Sequence, residues 1–306
     1  FHAAVNVLST PVWAVGGRVI WMSSFDPAEY LRLVEVHRVT VLFLVPTMYQ
    51  MLADCPEFES ADLSSVRFAV SGGAPCPEPV RARFADKAVP FCQGYGLTEA
   101  GVNCFSIDPA AAAAAPEAVG VPMPNTQAVL RDETGTPVGD GEVGELTLSG
   151  PHVFAGYLGQ PEETAAALRD GCLWTGDLAR VGEDGLWRIV GRRKEMFISG
   201  GENVYPAEVE RAVLRYTDAT QCAVFGIPHP RWGEVGVAAI CGTSLTQAAL
   251  REQLAGHLAT YKIPRHVLVC DELPATGAGK INKPVLRRQA IKVFALEDTH
   301  EPAATG

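Results

Sequence analysis

One short segment, residues 93–99, brings together the side chains that a nucleotide site needs. It runs Gln93-Gly94-Tyr95-Gly96-Leu97-Thr98-Glu99. Gly94 and Gly96 allow the backbone to approach a ligand closely, and Tyr95 offers a flat face to a purine. Thr98 can donate a hydrogen bond to a phosphate oxygen, and Glu99 can hold a hard divalent cation such as Mg²⁺. The segment predicts nucleotide binding, with an ordinary tight turn as the alternative.

Three further segments carry glycines and charged side chains of the same kind. They are Ser71-Gly72-Gly73-Ala74-Pro75; Trp174-Thr175-Gly176-Asp177 with the later run from Gly191-Arg192-Arg193-Lys194 to Val204-Tyr205-Pro206; and Leu273-Pro274-Ala275-Thr276-Gly277-Ala278-Gly279-Lys280-Ile281-Asn282-Lys283. In this order and at these separations, the four motifs resemble those of the adenylate-forming (AMP-binding) enzymes, and within them the acyl-CoA synthetases. The resemblance runs from residue 1 to about residue 290, which is nearly the whole chain.

The resemblance implies a reaction in two halves. The carboxylate of a fatty acid or related acid attacks the α-phosphorus of ATP and expels pyrophosphate, and the thiol of coenzyme A then attacks the acyl adenylate and expels AMP. Such chemistry depends on positioning and charge neutralisation, so Mg²⁺ is implied as well. The implied catalytic residues are Lys280, which bridges the carboxylate and the α-phosphate, together with Thr98 and the Mg²⁺ ligand Glu99. A solvated surface lysine is the alternative for Lys280.

The same resemblance places further residues around the nucleotide. Asp177 and Arg192 match ribose contacts, and a plain turn residue is the alternative for Asp177. Gly72, Gly73 and Ala74 match a wall against adenine, where small residues leave room for a flat ring; a strand-end turn without a ligand is the alternative. The whole implied nucleotide-binding set is Gly72, Gly73, Ala74, Gln93, Gly94, Tyr95, Gly96, Thr98, Asp177 and Arg192.

Residues for the other substrates are also implied by the resemblance. Lys194 matches the hinge between the large domain and the C-terminal domain, with an exposed charge as the alternative. After a rotation at the hinge, Ser199-Gly200-Gly201 would face the thiol of coenzyme A. His2 matches an aromatic-His pair beside the acyl pocket. Val45 and Pro46 line the same pocket in this interpretation, with core packing as the alternative.

One feature of the family is missing from this sequence. Its members carry, upstream of these motifs, a Ser/Thr/Gly-rich loop that ends in Pro-Lys-Gly, and Phe1-His2 matches a segment shortly after that loop. We therefore expect the C-terminal part of a synthetase, which would bind the missing N-terminal segment or self-associate. The alternatives are a protein that binds AMP or acyl adenylate without turnover, and an adenylation domain that loads a carrier protein. The run from Met196 to Pro206 favours coenzyme A over a carrier protein.

Composition limits the class of protein. A net charge of -10 and a pI of about 5.2 argue against nucleic acid as a partner. No apolar run approaches the roughly 20 residues of a membrane helix, and no leader peptide is visible. The eight cysteines are scattered through apolar stretches, which predicts reduced core thiols and a cytoplasmic location. The histidines show no metal-type spacing.

The elements that position the first motifs follow from capping and periodicity. Asp26-Pro27-Ala28-Glu29 predicts a helix start, and the helix should run to about Arg38. The apolar run 39–45 predicts a buried strand, Pro46 opens the next helix, and the strand pattern returns at 66–70. Strands that alternate with helices predict a mostly parallel sheet.

Later in the chain the pattern changes to short alternating strands with Gly-rich turns. The fold class predicted is α/β with a small β subdomain, followed by a compact α+β C-terminal domain, in a partial adenylate-forming fold. The predicted boundaries are 1–118, 119–193, 194–296 and a disordered tail at 297–306. The predicted later elements are a hairpin around Asp184-Gly185, a helix from Pro206 to about Tyr216, strands near Ala223 and Val237, a helix near Thr246 to Leu258, a strand near Val267 and, earlier, a surface loop or short helix at Ala110 to Ala115.

Overall fold

The computed structural model describes residues 4–275 and 281–294. The chain divides into two compact units, residues 1–189 and residues 190–306. The subdomain boundaries expected at 118/119 and 193/194 remain predictions.

The first unit begins with a three-stranded parallel sheet. Its elements, in chain order, are a π-helical turn (Ala4–Ser9), α1 (Thr10–Ala14), α2 (Pro27–His37), β1 (Val41–Leu44), α3 (Pro46–Asp54), a 3₁₀ turn (Pro56–Phe58), β2 (Phe68–Ser71), α4 (Glu78–Asp86) and β3 (Phe91–Gln93). Parallel neighbours need a crossover connection, and α3 and α4 provide the two crossovers. Three of the rings in the core, Tyr49, Phe84 and Phe91, pack edge to face with centroids 4.8–5.8 Å apart.

The helix predicted from Asp26 is confirmed, and its ends have clear causes. The Asp26 carboxylate accepts a hydrogen bond from the Glu29 amide at 2.8 Å, which caps the first turn. Arg38 stops the helix in a left-handed conformation. The parallel arrangement of the first strands and the helix at Pro46 are confirmed as well.

An antiparallel sheet completes the first unit. The elements of this part are a 3₁₀ turn (Thr98–Ala100), β4 (Phe105–Ser106), α5 (Pro109–Ala114), β5 (Val121–Pro122), β6 (Gln127–Arg131), β7 (Gly144–Ser149), α6 (Pro161–Ala167), β8 (Leu168–Arg169), β9 (Cys172–Val181) and β10 (Trp187–Arg192). The strand order of the sheet is β10-β9-β7-β6, with β8 beside β9. Strand β10 begins in the first unit and ends in the second. The turn predicted at Asp184-Gly185 lies between β9 and β10, and Gly185 has a φ of +72°.

The second unit contains a five-stranded sheet with helices on both faces. Its elements are a 3₁₀ turn (Arg193–Glu195), β11 (Phe197–Ser199), β12 (Glu202–Val204), α7 (Pro206–Tyr216), β13 (Gln221–His229), β14 (Gly233–Cys241), α8 (Gln247–Leu254), a 3₁₀ turn (Thr260–Lys262), β15 (His266–Val269) and α9 (Lys283–Phe294). The strand order of the sheet is β12-β11-β14-β13, with β15 beside β14. Alternate side chains of a strand point to opposite faces. Cys222 and Val224 therefore pack with α7 and α8, whereas Ala223 and Phe225 pack with α9.

The predicted fold class, α/β strands and helices followed by β strands and then an α+β part, is confirmed. One helix is shorter than predicted: α8 ends at Leu254 rather than Leu258, because Gly256 takes a φ of +82° that no helix accommodates. All eight cysteines are free thiols, five of them buried. In the part of the chain that the structure describes, no helix combines the length and apolarity that a membrane crossing requires.

Candidate active site

The carboxyl edge of the parallel sheet brings three of the predicted segments together. The strands β1, β2 and β3 are parallel neighbours, so the loops that start at Val45, Gly72 and Gly94 leave the sheet on one side. The Gly94 amide donates to the Ser71 carbonyl at 2.7 Å, which joins two of these loops. Such an edge is where ligands bind in open α/β sheets.

Gln93 braces this edge from inside. Its side chain is 9% exposed, and its Oε1 accepts a hydrogen bond from the Cys76 amide at 3.3 Å. The interaction holds the loop after β2 against the end of β3. A bracing role explains the residue without a ligand, and its predicted contact with the nucleotide remains a prediction.

The loop after β2 leaves open space in front of its small residues. Gly73 has a φ of +85°, and a side chain built there would meet no atom within 4 Å. A side chain at Gly72 would lie at ordinary contact distance, 3.9 Å, from the Gly94 carbonyl. Ala74 is exposed. The turn geometry requires a glycine at 73, and the free space is compatible with the predicted wall for a flat ring.

The two glycines of the 93–99 segment differ in how much space a side chain would have. A side chain at Gly94 would lie 3.3 Å from the Ser71 carbonyl, a tight but adjustable distance. A Cβ at Gly96 would lie 2.3 Å from the backbone carbonyl carbon of Val102. Packing of the chain against itself therefore requires a glycine at position 96. At position 94 the packing does not require one, and close approach of a ligand would explain the glycine there.

Tyr95 and Asp177 form a buried pair, although 82 residues separate them in sequence. The Tyr95 hydroxyl donates to Asp177 Oδ2 at 2.7 Å, and Asp177 is 5% exposed. Burial first, and then the negative charge of Asp177, raise the pKa of Tyr95 well above its ordinary value. The phenol therefore keeps its proton and remains a donor. The structure thus brings an aromatic face and a carboxylate from two predicted motifs to one place.

A β-bulge places Asp177. Between the pairs Glu145–Leu178 and Thr147–Trp174, three residues of β9 stand opposite the single residue Leu146. Gly176, at a φ of +70°, makes this detour possible. Its amide donates to Glu145 Oε1 at 3.1 Å, and the Thr175 hydroxyl donates to the Leu146 carbonyl at 2.8 Å. The sequence Thr175-Gly176-Asp177 therefore builds the bulge that positions its own carboxylate.

Thr98 and Glu99, at the end of the 93–99 segment, lie on the 3₁₀ turn Thr98–Ala100. Thr98 is exposed and Glu99 is half-buried. The Tyr157 hydroxyl donates to Glu99 Oε1 at 2.8 Å, and the Phe154 amide donates to the Glu99 carbonyl at 2.8 Å. Tyr157 was missed by the sequence analysis. The signal that could have found it is an aromatic residue between glycines, Gly156-Tyr157-Leu158-Gly159, which resembles the arrangement around Tyr95.

Glu99 is compatible with a magnesium ligand. Within residues 4–275 and 281–294, its Oε1 is held by Tyr157 and no hydrogen bond occupies its Oε2. No three His, Cys, Asp or Glu side chains of these residues are grouped as a metal site. Mg²⁺ is commonly held by one or two carboxylates plus substrate phosphates and water, rather than by a protein cage. A single half-buried carboxylate fits that pattern.

The predicted site residues from Arg192 to Gly201 lie in the second unit. Arg192 ends β10 and Lys194 lies in the following 3₁₀ turn; both are exposed. Ser199 is 9% exposed and is followed by Gly200 and Gly201, at φ +61° and +90°.

These two glycines form the two-residue turn of the hairpin between β11 and β12, because Ser199 pairs with Glu202. Positive φ at both positions is characteristic of a type I′ turn, which favours glycine without any ligand. The Gly200 amide donates to the Trp232 carbonyl at 2.9 Å, and a Cβ at Gly200 would lie 3.0 Å from the Trp232 ring. Trp232 thus forms part of the same surface and was missed by the sequence analysis.

The C-terminal motif is described only in part. His2 and Lys280 lie outside the described residues, as does the tail predicted at 297–306. Lys283, three residues after Lys280, is described: its Nζ lies 2.7 Å from Glu195 Oε2 and 2.8 Å from Glu210 Oε1. Burial alone would lower the pKa of Lys283, but the two carboxylates together raise it above its ordinary value.

Comparison with known proteins identifies the family of both parts of the chain. The AMP-binding enzyme family matches residues 1–158, more than half of the chain, and the AMP-binding enzyme C-terminal domain matches residues 208–280. A feruloyl-CoA synthase of Amycolatopsis sp. is 46% identical over 293 residues, which cover 94% of this chain and 60% of that protein. An indoleacetate–CoA ligase of Aromatoleum aromaticum is 34% identical, covering 98% of this chain and 59% of that protein.

A solved structure agrees. The amide bond synthetase McbA from Marinactinospora thermotolerans superimposes with a TM-score of 0.85 at 33% identity, covering 92% of this chain and 59% of that chain. The partial adenylate-forming fold inferred from the motifs is thereby confirmed. The chain spans about 60% of the length of the two curated relatives described above. It belongs to the family of AMP-binding enzymes.

Proposed function

We propose that this chain activates a carboxylic acid with ATP and transfers the acyl group to coenzyme A, as an AMP-forming acid–CoA ligase. The observation that carries the proposal is the 46% identity over 293 residues to a feruloyl-CoA synthase. The paired Tyr95 and Asp177 support it, because they bring a flat aromatic face, suited to a purine, and a carboxylate, suited to a ribose, to one place. The free thiols support a reducing compartment, the cytoplasm.

An aromatic acid is the substrate that we propose first. The two curated relatives described above are named for feruloyl and indoleacetate groups, and both groups carry an aromatic ring. A fatty acid is the second candidate.

In the first half-reaction, the acid's carboxylate oxygen bonds to the α-phosphorus of ATP while the bond to the β-phosphate breaks and pyrophosphate leaves. Gly72, Gly73 and Ala74 receive the adenine, and Asp177 accepts hydrogen bonds from the ribose. Thr98 donates to a phosphate oxygen. Lys280 supplies positive charge at the reacting oxygens, where preorganised charge is most effective. Mg²⁺ bound at Glu99 would neutralise phosphate charge.

In the second half-reaction, the sulfur of coenzyme A bonds to the acyl carbon, the thiol proton is released, and the bond to AMP breaks. We assign the thiol-facing surface to Ser199, Gly200 and Gly201, and extend it to Trp232, which contacts Gly200. Lys194 remains the proposed hinge and Arg192 a proposed ribose contact. His2, Val45 and Pro46 remain the proposed acyl pocket. Val45 is 41% exposed, so core packing does not account for it.

The decisive experiment is ATP–pyrophosphate exchange by this chain with aromatic and fatty acids, followed by detection of the thioester after coenzyme A is added. We expect exchange and thioester formation with the aromatic acids above the fatty acids. An amine in place of coenzyme A tests amide formation, the activity named for the structural relative, and a carrier protein tests carrier loading. AMP binding without exchange would favour a nucleotide-binding protein without turnover and would refute the ligase proposal.

Two carboxylate variants test the nucleotide site separately. Asp177→Asn weakens a charge-assisted hydrogen bond to the ribose, which is worth about 1.5–3 kcal/mol, so AMP affinity measured by calorimetry should fall by roughly ten- to a hundredfold. Asp184→Asn is the matched control in the hairpin turn of the same unit, and it should leave AMP affinity unchanged. Equal effects of the two variants would remove Asp177 from the site.

A further inference from the structure

Tyr157 is held at its backbone by Thr164 and at its ring by Phe154. Its amide donates to the Thr164 hydroxyl at 2.9 Å, and its ring packs edge to face on Phe154 with centroids 4.8 Å apart. Gly156, at a φ of +143°, lets the chain pass Thr164, since a Cβ there would lie 2.6 Å from that side chain. The phenol is therefore held in position before any ligand binds.

The hydroxyl of Tyr157 fixes one oxygen of Glu99. The distance from Tyr157 Oη to Glu99 Oε1 is 2.8 Å, and the backbone of Glu99 is held as well, because its carbonyl accepts from the Phe154 amide. The phenol is the donor in this hydrogen bond, because an ionised carboxylate can only accept. The structure thus restrains Glu99 at both its backbone and its side chain, and among residues 4–275 and 281–294 no hydrogen bond occupies its second carboxylate oxygen.

We propose that Tyr157 is a positioning residue that orients Glu99 toward the Mg²⁺ accompanying ATP. The inference rests on the proposed function and names a residue that acts through Glu99. Ligating carboxylates are themselves hydrogen-bonded, and removing such an outer partner costs about 10- to 100-fold in metal affinity or activity. Losing the phenol hydroxyl frees the Glu99 side chain to adopt other rotamers, and metal binding must then restrict it again.

The test is Tyr157→Phe, which removes the hydroxyl and keeps the ring. Tyr157 lines an open cavity of about 520 Å³ and is half-buried, so the change removes one hydroxyl and no core side chain. We expect the Mg²⁺ concentration for half-maximal pyrophosphate exchange to rise about tenfold or more. Mn²⁺ binding to the complex with a non-hydrolysable ATP analogue, followed by electron paramagnetic resonance, should weaken by a similar factor. AMP affinity without metal should not change.

Tyr95→Phe is the matched control, because it removes the other tyrosine hydroxyl that donates to a carboxylate in this unit. Tyr95→Phe should show the opposite pattern to Tyr157→Phe: AMP affinity should fall, and the Mg²⁺ concentration for half-maximal pyrophosphate exchange should not change. In Glu99→Gln, the further change Tyr157→Phe should have little additional effect on Mn²⁺ binding, since the two residues act as one group.

Two outcomes overturn the proposal: an unchanged Mg²⁺ and Mn²⁺ dependence in Tyr157→Phe, or a loss of AMP affinity equal to the loss of metal affinity. The second would indicate a general structural role. If the unmodified chain shows no exchange but binds the Mn²⁺–nucleotide complex, the ligase proposal fails and Mn²⁺ binding still decides the role of Tyr157. If it binds no metal–nucleotide complex at all, both fail.

Discussion

Lys283 forms a partly buried ion-pair network in the second unit, and its loss should destabilise that unit. Its ammonium lies 2.7 Å from Glu195 and 2.8 Å from Glu210, so it joins the 3₁₀ turn after β10 and the helix α7 to the first residue of α9. Its side chain is 22% exposed. Lys283→Met keeps an apolar stem of similar length but leaves two carboxylates close together without their shared counter-charge.

The magnitude follows from burial. Breaking a buried ion pair by removing one partner costs about 3–5 kcal/mol, but the Glu195 and Glu210 side chains are 37% and 20% exposed, so water recovers part of that loss. We expect a free energy of unfolding about 2 kcal/mol lower than in the unmodified chain. With a slope of about 2 kcal/mol per molar urea, the midpoint should shift by about 1 M.

The assay is urea unfolding followed by circular dichroism, with hydrogen exchange of α7 and α9 to locate the effect. Lys292→Met is the control, since Lys292 is an exposed lysine on the same helix, and it should change the free energy by less than about 0.5 kcal/mol. Adding Glu195→Gln and Glu210→Gln to Lys283→Met should restore part of the stability. Equal midpoint shifts for Lys283→Met and Lys292→Met would refute the reasoning.

The pH dependence of this effect has a defined sign. The pKa of Lys283 is raised in the folded chain. Its contribution is therefore fully present below the unfolded value of 10.5 and is lost as the pH rises through the folded pKa. The difference in free energy of unfolding between the unmodified chain and Lys283→Met should be constant from pH 7 to about pH 9 and shrink above the unfolded value.

Three further predictions concern glycines, a thiol and the tyrosine pair. Gly96→Ala should unfold at a clearly lower temperature, because its Cβ would overlap the Val102 backbone, whereas Gly94→Ala should stay folded and lose AMP affinity in calorimetry. Burial raises the pKa of Cys76 to about 12, so its thiol should resist alkylation at pH 8, and its contribution to stability should be lost as pH rises from 9 toward 12. Tyr95→Phe should lower the free energy of unfolding by about 1.5–3 kcal/mol in urea titrations, since Asp177 loses a buried donor.

Much of the fold could be predicted because its signals are local. The Asp26 cap, Pro46 at a helix start and the Pro206–Tyr216 helix each depend on neighbours within one or two turns. The end of α8 was predicted four residues late, because the apolar pattern continues to Leu258 while the backbone turns at Gly256. Helix α9 was not predicted at all. Its apolar face is defined by β13 and β14, elements distant in sequence.

The candidate site, like the fold, has features that depend on local sequence and features that depend on residues distant in sequence. Residue types in the motifs indicated nucleotide chemistry, but neither partner of the pairs Tyr95–Asp177 and Tyr157–Glu99 is local to the other. Such contacts depend on how the loop after β3 meets strand β9 and the segment before α6. Only tertiary structure supplies that information, which explains why Tyr157 was missed while Glu99 was found.

The glycines of the motifs separate into two groups by physical cause, and the division determines which substitutions can test function. Gly96 is required because its own chain fills the space, and Gly176 because its backbone has a positive φ. Gly72 and Gly94 have ordinary backbone angles and adjustable space around them. A side chain at the first pair damages the fold whatever ligand binds. A side chain at Gly72 meets only ordinary contacts, and one at Gly94 requires a shift of a few tenths of an ångström, so substitutions at these two positions can test the nucleotide proposal.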